Sequence, residues 1–163
     1  FKEIAGEGEL TVYKRSQAKN SANVQTSVSF AQSAKTPDEL SGKLVNSCGQ
    51  PETLKGDEKI YEISVQYERE NRKGRKEGYD CILSFDYACE SMELYVNGRK
   101  VNDYFYTGQK ALFSLGYFDF PTKITAVIHP LHEGDHIYLQ EWPKMKNENA
   151  CQIEKVTLTE QFT

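Results

Sequence analysis

A chain of 163 residues can bury one sizeable core but falls short of the roughly 250 residues that a (β/α)8 barrel needs. Its formal charge of −4, with both signs interspersed, lacks the clustered cations that nucleic-acid binding draws on, so no nucleic-acid partner is expected. No apolar run approaches the roughly 20 residues of a spanning helix, so no membrane span is expected, and no signal peptide is visible after Phe1, which fits a processed protein or an excised piece. Abundant Tyr and Phe, frequent Thr and Val, and Gly and Asn set between strand-like runs favour an all-β fold.

In chain order, Leu10 and Val12 mark a first strand, Ser16 to Asn23 reads as a loop, and Val24, Thr26, Val28 and Phe30 mark a second strand. Thr36-Pro37-Asp38-Glu39 has the form of a capping box with Pro at the first helical position, predicting a short helix near 37–45. Gly49-Gln50-Pro51 and Gly56-Asp57 punctuate the return to sheet. This polar portion, 1–57, either completes a sandwich or caps one end of it.

From residue 58 the alternation is clear. Tyr61, Ile63, Val65 and Tyr67 share a face, and Tyr79, Cys81, Leu83, Phe85, Tyr87 and Cys89 share another. Between them, residues 68–78 carry five cations and three anions; an anion patch is one reading and a solvated hairpin tip the better one. Met92, Leu94 and Val96 point inward along 92–97. Asn97-Gly98 then predicts a type I′ turn into a fourth arm ending near Phe105, because both central residues must adopt positive φ. Further strands are expected at 110–115, 122–129, 136–141 and 152–160, with Ile124, Ala126 and Ile128 as one buried row and Val156 and Leu158 as another. Short strands with turn signals every 8–12 residues suit a single β-sandwich of jelly-roll-like form over 1–163.

The four cysteines (Cys48, Cys81, Cys89, Cys151) contain no Cys-x-x-Cys pair. In the expected exported setting, bacterial and periplasmic or extracellular, two disulfides in three connectivities are possible. The apolar parity around Cys81 instead favours free, buried thiols.

Three stretches carry a resemblance: Leu94 to Gly108, Phe120-Pro121-Thr122-Lys123-Ile124-Thr125-Ala126-Val127-Ile128-His129-Pro130-Leu131, and Ile137-Tyr138-Leu139-Gln140-Glu141-Trp142-Pro143. Together they resemble the non-catalytic jelly-roll (galactose-binding-like) accessory domain that follows the barrel in family 35 glycoside hydrolases, the β-galactosidases. The match spans residues 80–160, about half of the chain. It implies an accessory or carbohydrate-binding module, with a glycan (galactose-containing) and a catalytic barrel of the parent protein as partners. In that family the acid and the nucleophile are glutamates of the barrel, which this chain lacks.

Aromatic side chains are the candidates for glycan contact, since sugars stack their C–H faces on flat rings while sparse polar groups hold the hydroxyls. Trp142, the sole tryptophan, follows the strand expected at 136–141, with Tyr138 nearby. Asn102, Tyr104 and Tyr106 share one face of the fourth arm, and Tyr117 and Phe118 form a further cluster. Against glycan contact stands core capping or packing on a neighbouring domain. For Asn102 to Tyr106 the resemblance implies a role in hairpin shape rather than a sugar contact.

The alternative is a stand-alone secreted protein with a metal site. His129, His132 and His136 lie within eight residues and, with Glu133 and Asp135, supply imidazole nitrogens and carboxylate oxygens of the kind that bind a divalent metal. The spacing matches neither His-Glu-x-x-His nor a zinc-finger pair, Pro130 limits convergence, and a plain turn between strands reads as well. Glu90, Glu93 and Glu141 show no signature of the paired carboxylates, about 5–5.5 Å apart, that a retaining glycosidase uses. No Gly-x-Ser-x-Gly elbow or phosphate loop is present. The chain therefore reads as no enzyme, with no cofactor.

Overall fold

Alternation along the strands translates into burial: the odd-numbered residues from Tyr79 to Cys89 all lie inside, as do Tyr61, Ile63, Val65 and Tyr67. The computed structural model describes residues 2–4, 12–14, 26–68 and 78–162. Among these, twelve strands run in chain order: β1 (Lys2–Ile4), β2 (Val12–Lys14), β3 (Ser27–Gln32), β4 (Lys59–Gln66), β5 (Tyr79–Ala88), β6 (Ser91–Val96), β7 (Arg99–Phe105), β8 (Ala111–Ser114), β9 (Lys123–His129), β10 (Leu131–His132), β11 (Asn149–Ala150) and β12 (Gln152–Phe162). One helix, α1 (Pro37–Leu40), precedes β4.

The larger sheet has the order β1-β2-β3-β4-β9-β6-β7 and the smaller the order β12-β5-β8, with β10-β11 as a separate ribbon. All pairings between these strands are antiparallel. The sheets form an all-β sandwich around one apolar core that draws on both. Its larger-sheet wall includes Phe30, Ile63, Leu94 and Ile128, and its smaller-sheet wall Leu83, Phe85, Phe113 and Leu158. Register aligns these rows: Ile63 faces Ile124, Met92 faces Ile128, and Phe85 faces both Val156 and Ala111.

Asn97 (φ 52°) and Gly98 (φ 77°) form the expected positive-φ turn between β6 and β7. The Gly98 carbonyl also accepts a 2.8 Å hydrogen bond from the Val45 N–H, so the turn anchors the 33–57 segment. Gly98→Val should therefore cost about 1–2 kcal/mol through the left-handed backbone penalty, read as a lower denaturation midpoint. An unchanged midpoint would refute the turn assignment.

Four expectations need correction. First, α1 ends at Leu40, not near 45. The Thr36–Glu39 capping box forms, but Ser41 (ψ 128°) and Gly42 (φ 80°) leave helical space. Second, residues 136–141 form no strand; Leu139 packs instead onto the apolar cluster at the β10–β11 ribbon. Third, β4 and β5, expected as the arms of one hairpin, lie in different sheets; of the tip expected between them, residues 69–77 lie outside the described residues. Both strands bury the same parity, which specifies an inward face but not the sheet that carries it. Fourth, the N-terminal portion does two things rather than one. Strands β1–β3 extend the larger sheet, while Leu40, Leu44 and Leu54 cover its outer face in a second cluster with Ile60, Tyr95 and Val127. Leu10 and Val24 lie outside the described residues. All four cysteines are free thiols: Cys81, Cys89 and Cys151 are buried and Cys48 is exposed.

Candidate functional site

Strand β7 places Asn102 and Tyr104 on one face, as expected, and the two are bonded: Asn102 Nδ2 donates to Tyr104 Oη at 2.9 Å. The Tyr104 hydroxyl donates in turn to the Leu112 carbonyl at 2.8 Å. It thereby joins β7, an edge of the larger sheet, to β8, an edge of the smaller. Burial pushes the Tyr104 phenol up to about 12. Tyr106 stands edge-on to Tyr87, with ring centres 5.8 Å apart, and packs against the core. These three polar and aromatic side chains close one margin of the sandwich.

Tyr138 and Trp142 are placed differently. They lie on the irregular segment 133–148, whose roots are the β10–β11 ribbon. Leu131, Ala150 and Ala88 form a small apolar cluster there, and Tyr106, Leu139 and Met145 pack onto it. Two aliphatic anchors thus hold the segment to the body. Tyr138, next to the anchored Leu139, is 90% exposed, and Trp142 is 39% exposed. The segment starts in a turn where the Asp135 carboxylate accepts the His132 N–H at 2.8 Å. It ends in a two-residue turn at Asn147 (φ 52°) and Glu148 (φ 67°), closed by a 2.8 Å bond from the Lys146 N–H to the Asn149 carbonyl.

Beside this segment lies a cleft of about 140 Å³ lined by Lys59, Lys144, Lys146, Asn149, Gln152 and Glu154, with Ala88, Ala150 and Cys151 as its apolar part. Lys59 opens β4, Lys144 and Lys146 belong to the irregular segment, and Gln152 opens β12. The sequence reading missed these lysines. Each sits in an ordinary polar context, and only the pairing of β4 with β9, which runs on into the β10–β11 ribbon, brings them together.

The histidines do not converge. His129 ends β9 on the outer face of the larger sheet, between two glutamates: Nδ1 is 3.7 Å from Glu58 Oε1 and Nε2 is 3.4 Å from Glu93 Oε1. The Nε2 contact is at ion-pair distance but off the line of a hydrogen bond. His132 instead pairs with Asp135 at 3.6 Å, and His136 is exposed. Among the described residues, no group of three or more His, Cys, Asp or Glu side chains is arranged to hold a metal ion.

Each glutamate beside His129 is stabilised as an anion. Burial raises the Glu93 carboxyl. Contacts with His129, the Tyr95 hydroxyl (which donates at 2.7 Å) and Lys100 outweigh it and hold the group near about 2. Burial likewise raises Glu58, but the Lys55 and Gly56 N–H groups, which donate at 2.6 and 2.7 Å, bring it below its ordinary value. Contact with Glu93 raises the His129 imidazole most, burial opposes it, and Glu58 adds to the rise. The arrangement is an imidazole clamped between two carboxylates that favour its charged form. Glu93 shares its outward face with Tyr95 and His129 shares its face with Val127, a parity the sequence displays. The register that brings β6 beside β9 is not displayed there.

No protein-family model matches this chain, and neither a curated protein nor a solved structure matches it. The resemblance drawn from the sequence therefore stands on its residues alone.

Proposed function

We propose that this chain is a non-catalytic accessory or carbohydrate-binding module of an exported carbohydrate-active protein related to the β-galactosidases, engaging galactose-containing glycan through segment 133–148. One observation carries this reading: Tyr138 is held out to solvent, 90% exposed, by a segment whose flanking Leu139 and Met145 are anchored. A large aromatic ring kept off the core on an anchored support suits stacking on a sugar face, with Trp142 as a second ring. On this reading Tyr104, Tyr106 and Asn102 shape the margin of the module and do not touch sugar. The isolated chain hydrolyses no glycoside. An attached module of this kind raises the local concentration of substrate for its enzyme.

Titration with galactose, lactose and β-linked galactans, followed by Trp142 fluorescence and melting temperature, tests the reading. A saturable fluorescence shift with a rise in melting temperature is expected, because a ligand selective for the folded state stabilises it. Tyr138→Ala should weaken that binding about tenfold without lowering the melting temperature of the free chain. Absence of any shift at tens of millimolar ligand would remove the glycan-binding function.

Bracing a catalytic barrel is the second reading, and a separate surface favours it. Phe105 is 72% exposed and Leu112 63%, on the strands that Tyr104 ties together. Exposed apolar neighbours of this kind suit docking against another domain.

A further inference from the structure

We propose that the cleft beside segment 133–148 binds an anionic substituent of the glycan, a sulfate ester or a uronate carboxylate. The inference rests on the glycan-binding reading and adds the ligand's charge to it. Three ammonium-bearing side chains from two distant places in the chain line one cleft of about 140 Å³, in a protein whose formal charge is −4. Among the described residues, Lys59, Lys144 and Lys146 take part in no ion pair. Among the described residues, the Lys146 ammonium makes only a long 3.5 Å hydrogen bond, to Gln152 Oε1. Glu154 is the single carboxylate in the lining and balances one of the three. Three like charges around a small space repel one another, and an anion placed among them relieves that repulsion while gaining charge-assisted hydrogen bonds.

The remaining lining fits a sugar. A cavity of about 150 Å³ admits one six-membered ring. Ala88, Ala150 and Cys151 offer a surface for its C–H groups, and the Asn149 and Gln152 amides can reach hydroxyls. Lys59 influences the Cys151 thiol: burial raises it to about 11, and Lys59 nearby pulls the other way. Lys144 lies two residues beyond Trp142, so a ring stacked on the aromatic segment and a charged neighbour in the cleft can belong to one oligosaccharide.

The experiment titrates the whole chain with a neutral β-linked galactan oligosaccharide, its sulfated counterpart, an oligogalacturonate, and inorganic sulfate, at low salt and at about 0.5 M salt. The expected result is at least one anionic oligosaccharide bound about tenfold more tightly than the neutral one, with the advantage largely lost at high salt. The sulfated and uronate arms identify which anion the cleft takes, and inorganic sulfate should compete weakly. K144Q/K146Q and, separately, K59Q should erase the preference and leave neutral binding and the melting temperature unchanged. Equal affinity for neutral and anionic sugars, or a preference that survives in the lysine variants, overturns the proposal while glycan binding stands. Failure of every arm overturns both.

Discussion

Phe85→Ala is expected to destabilise the protein by about 3–5 kcal/mol, lowering the melting temperature by roughly 6–20 °C. Phe85 is fully buried on β5, the middle strand of the smaller sheet, with Val156 facing it on one side and Ala111 on the other. Removing the ring forfeits its transfer from water and leaves a void. Strands hydrogen-bonded on both flanks cannot close that void, so the cavity contribution remains. Leu112→Ala, on the neighbouring strand but 63% exposed, is the matched control and should change stability by less than about 0.5 kcal/mol. Its carbonyl still accepts the Tyr104 hydrogen bond. Equal midpoints for the two variants in chemical denaturation would refute the two-sheet core.

Glu93→Gln should cost roughly 3 kcal/mol near pH 6, with a pH dependence that separates an ion pair from simple packing. The Glu93 carboxyl is held near about 2 in the folded chain, below its ordinary 4.5, so its stabilisation is present above about pH 4.5 and disappears as pH falls towards 2. The His129 imidazole is raised above its ordinary 6.5. Its stabilisation is complete below that value and disappears as pH rises through the folded value. Both contributions are complete only between about pH 4.5 and 6.5. The deficit of Glu93→Gln should be largest in that window. It should shrink towards pH 9, where Tyr95 and Lys100 alone continue to hold the carboxylate, and shrink again below pH 4. Urea denaturation of the parent and variant across this range reads the effect, and a deficit constant from pH 5 to 9 would exclude the clamp.

The same cluster shows where sequence reading stops. The spacing of His129, His132 and His136 suggests a common purpose, yet an extended strand end and a turn carry them to different surroundings. The partners of His129 are Glu58 and Glu93, remote in sequence and brought beside it by the pairing of β9 with β4 and β6. Residues 136–141 show the converse. Ile137 and Leu139 alternate with polar neighbours as a strand would, but alternation becomes a strand only where an open edge supplies hydrogen-bond partners. Residues 136–141 lie in no strand, and Leu139 tucks onto the small apolar cluster while Tyr138 faces solvent.

By itself the sequence determined the all-β class, the inward rows from Tyr61 to Val65, Tyr79 to Cys89 and Ile124 to Ile128, the turn at Asn97-Gly98 and the capping box at Thr36. These are local properties: side-chain parity of period two, positive φ, and a side chain within reach of its own helix terminus. Tertiary structure alone decided that β4 and β5 belong to opposite sheets, that residues 33–57 cover the larger one, that Tyr104 ties two edges together, and that three lysines meet at one cleft. Each of these depends on register between strands far apart in the chain, which is set by how whole faces fit against one another and leaves no mark in any short window of sequence.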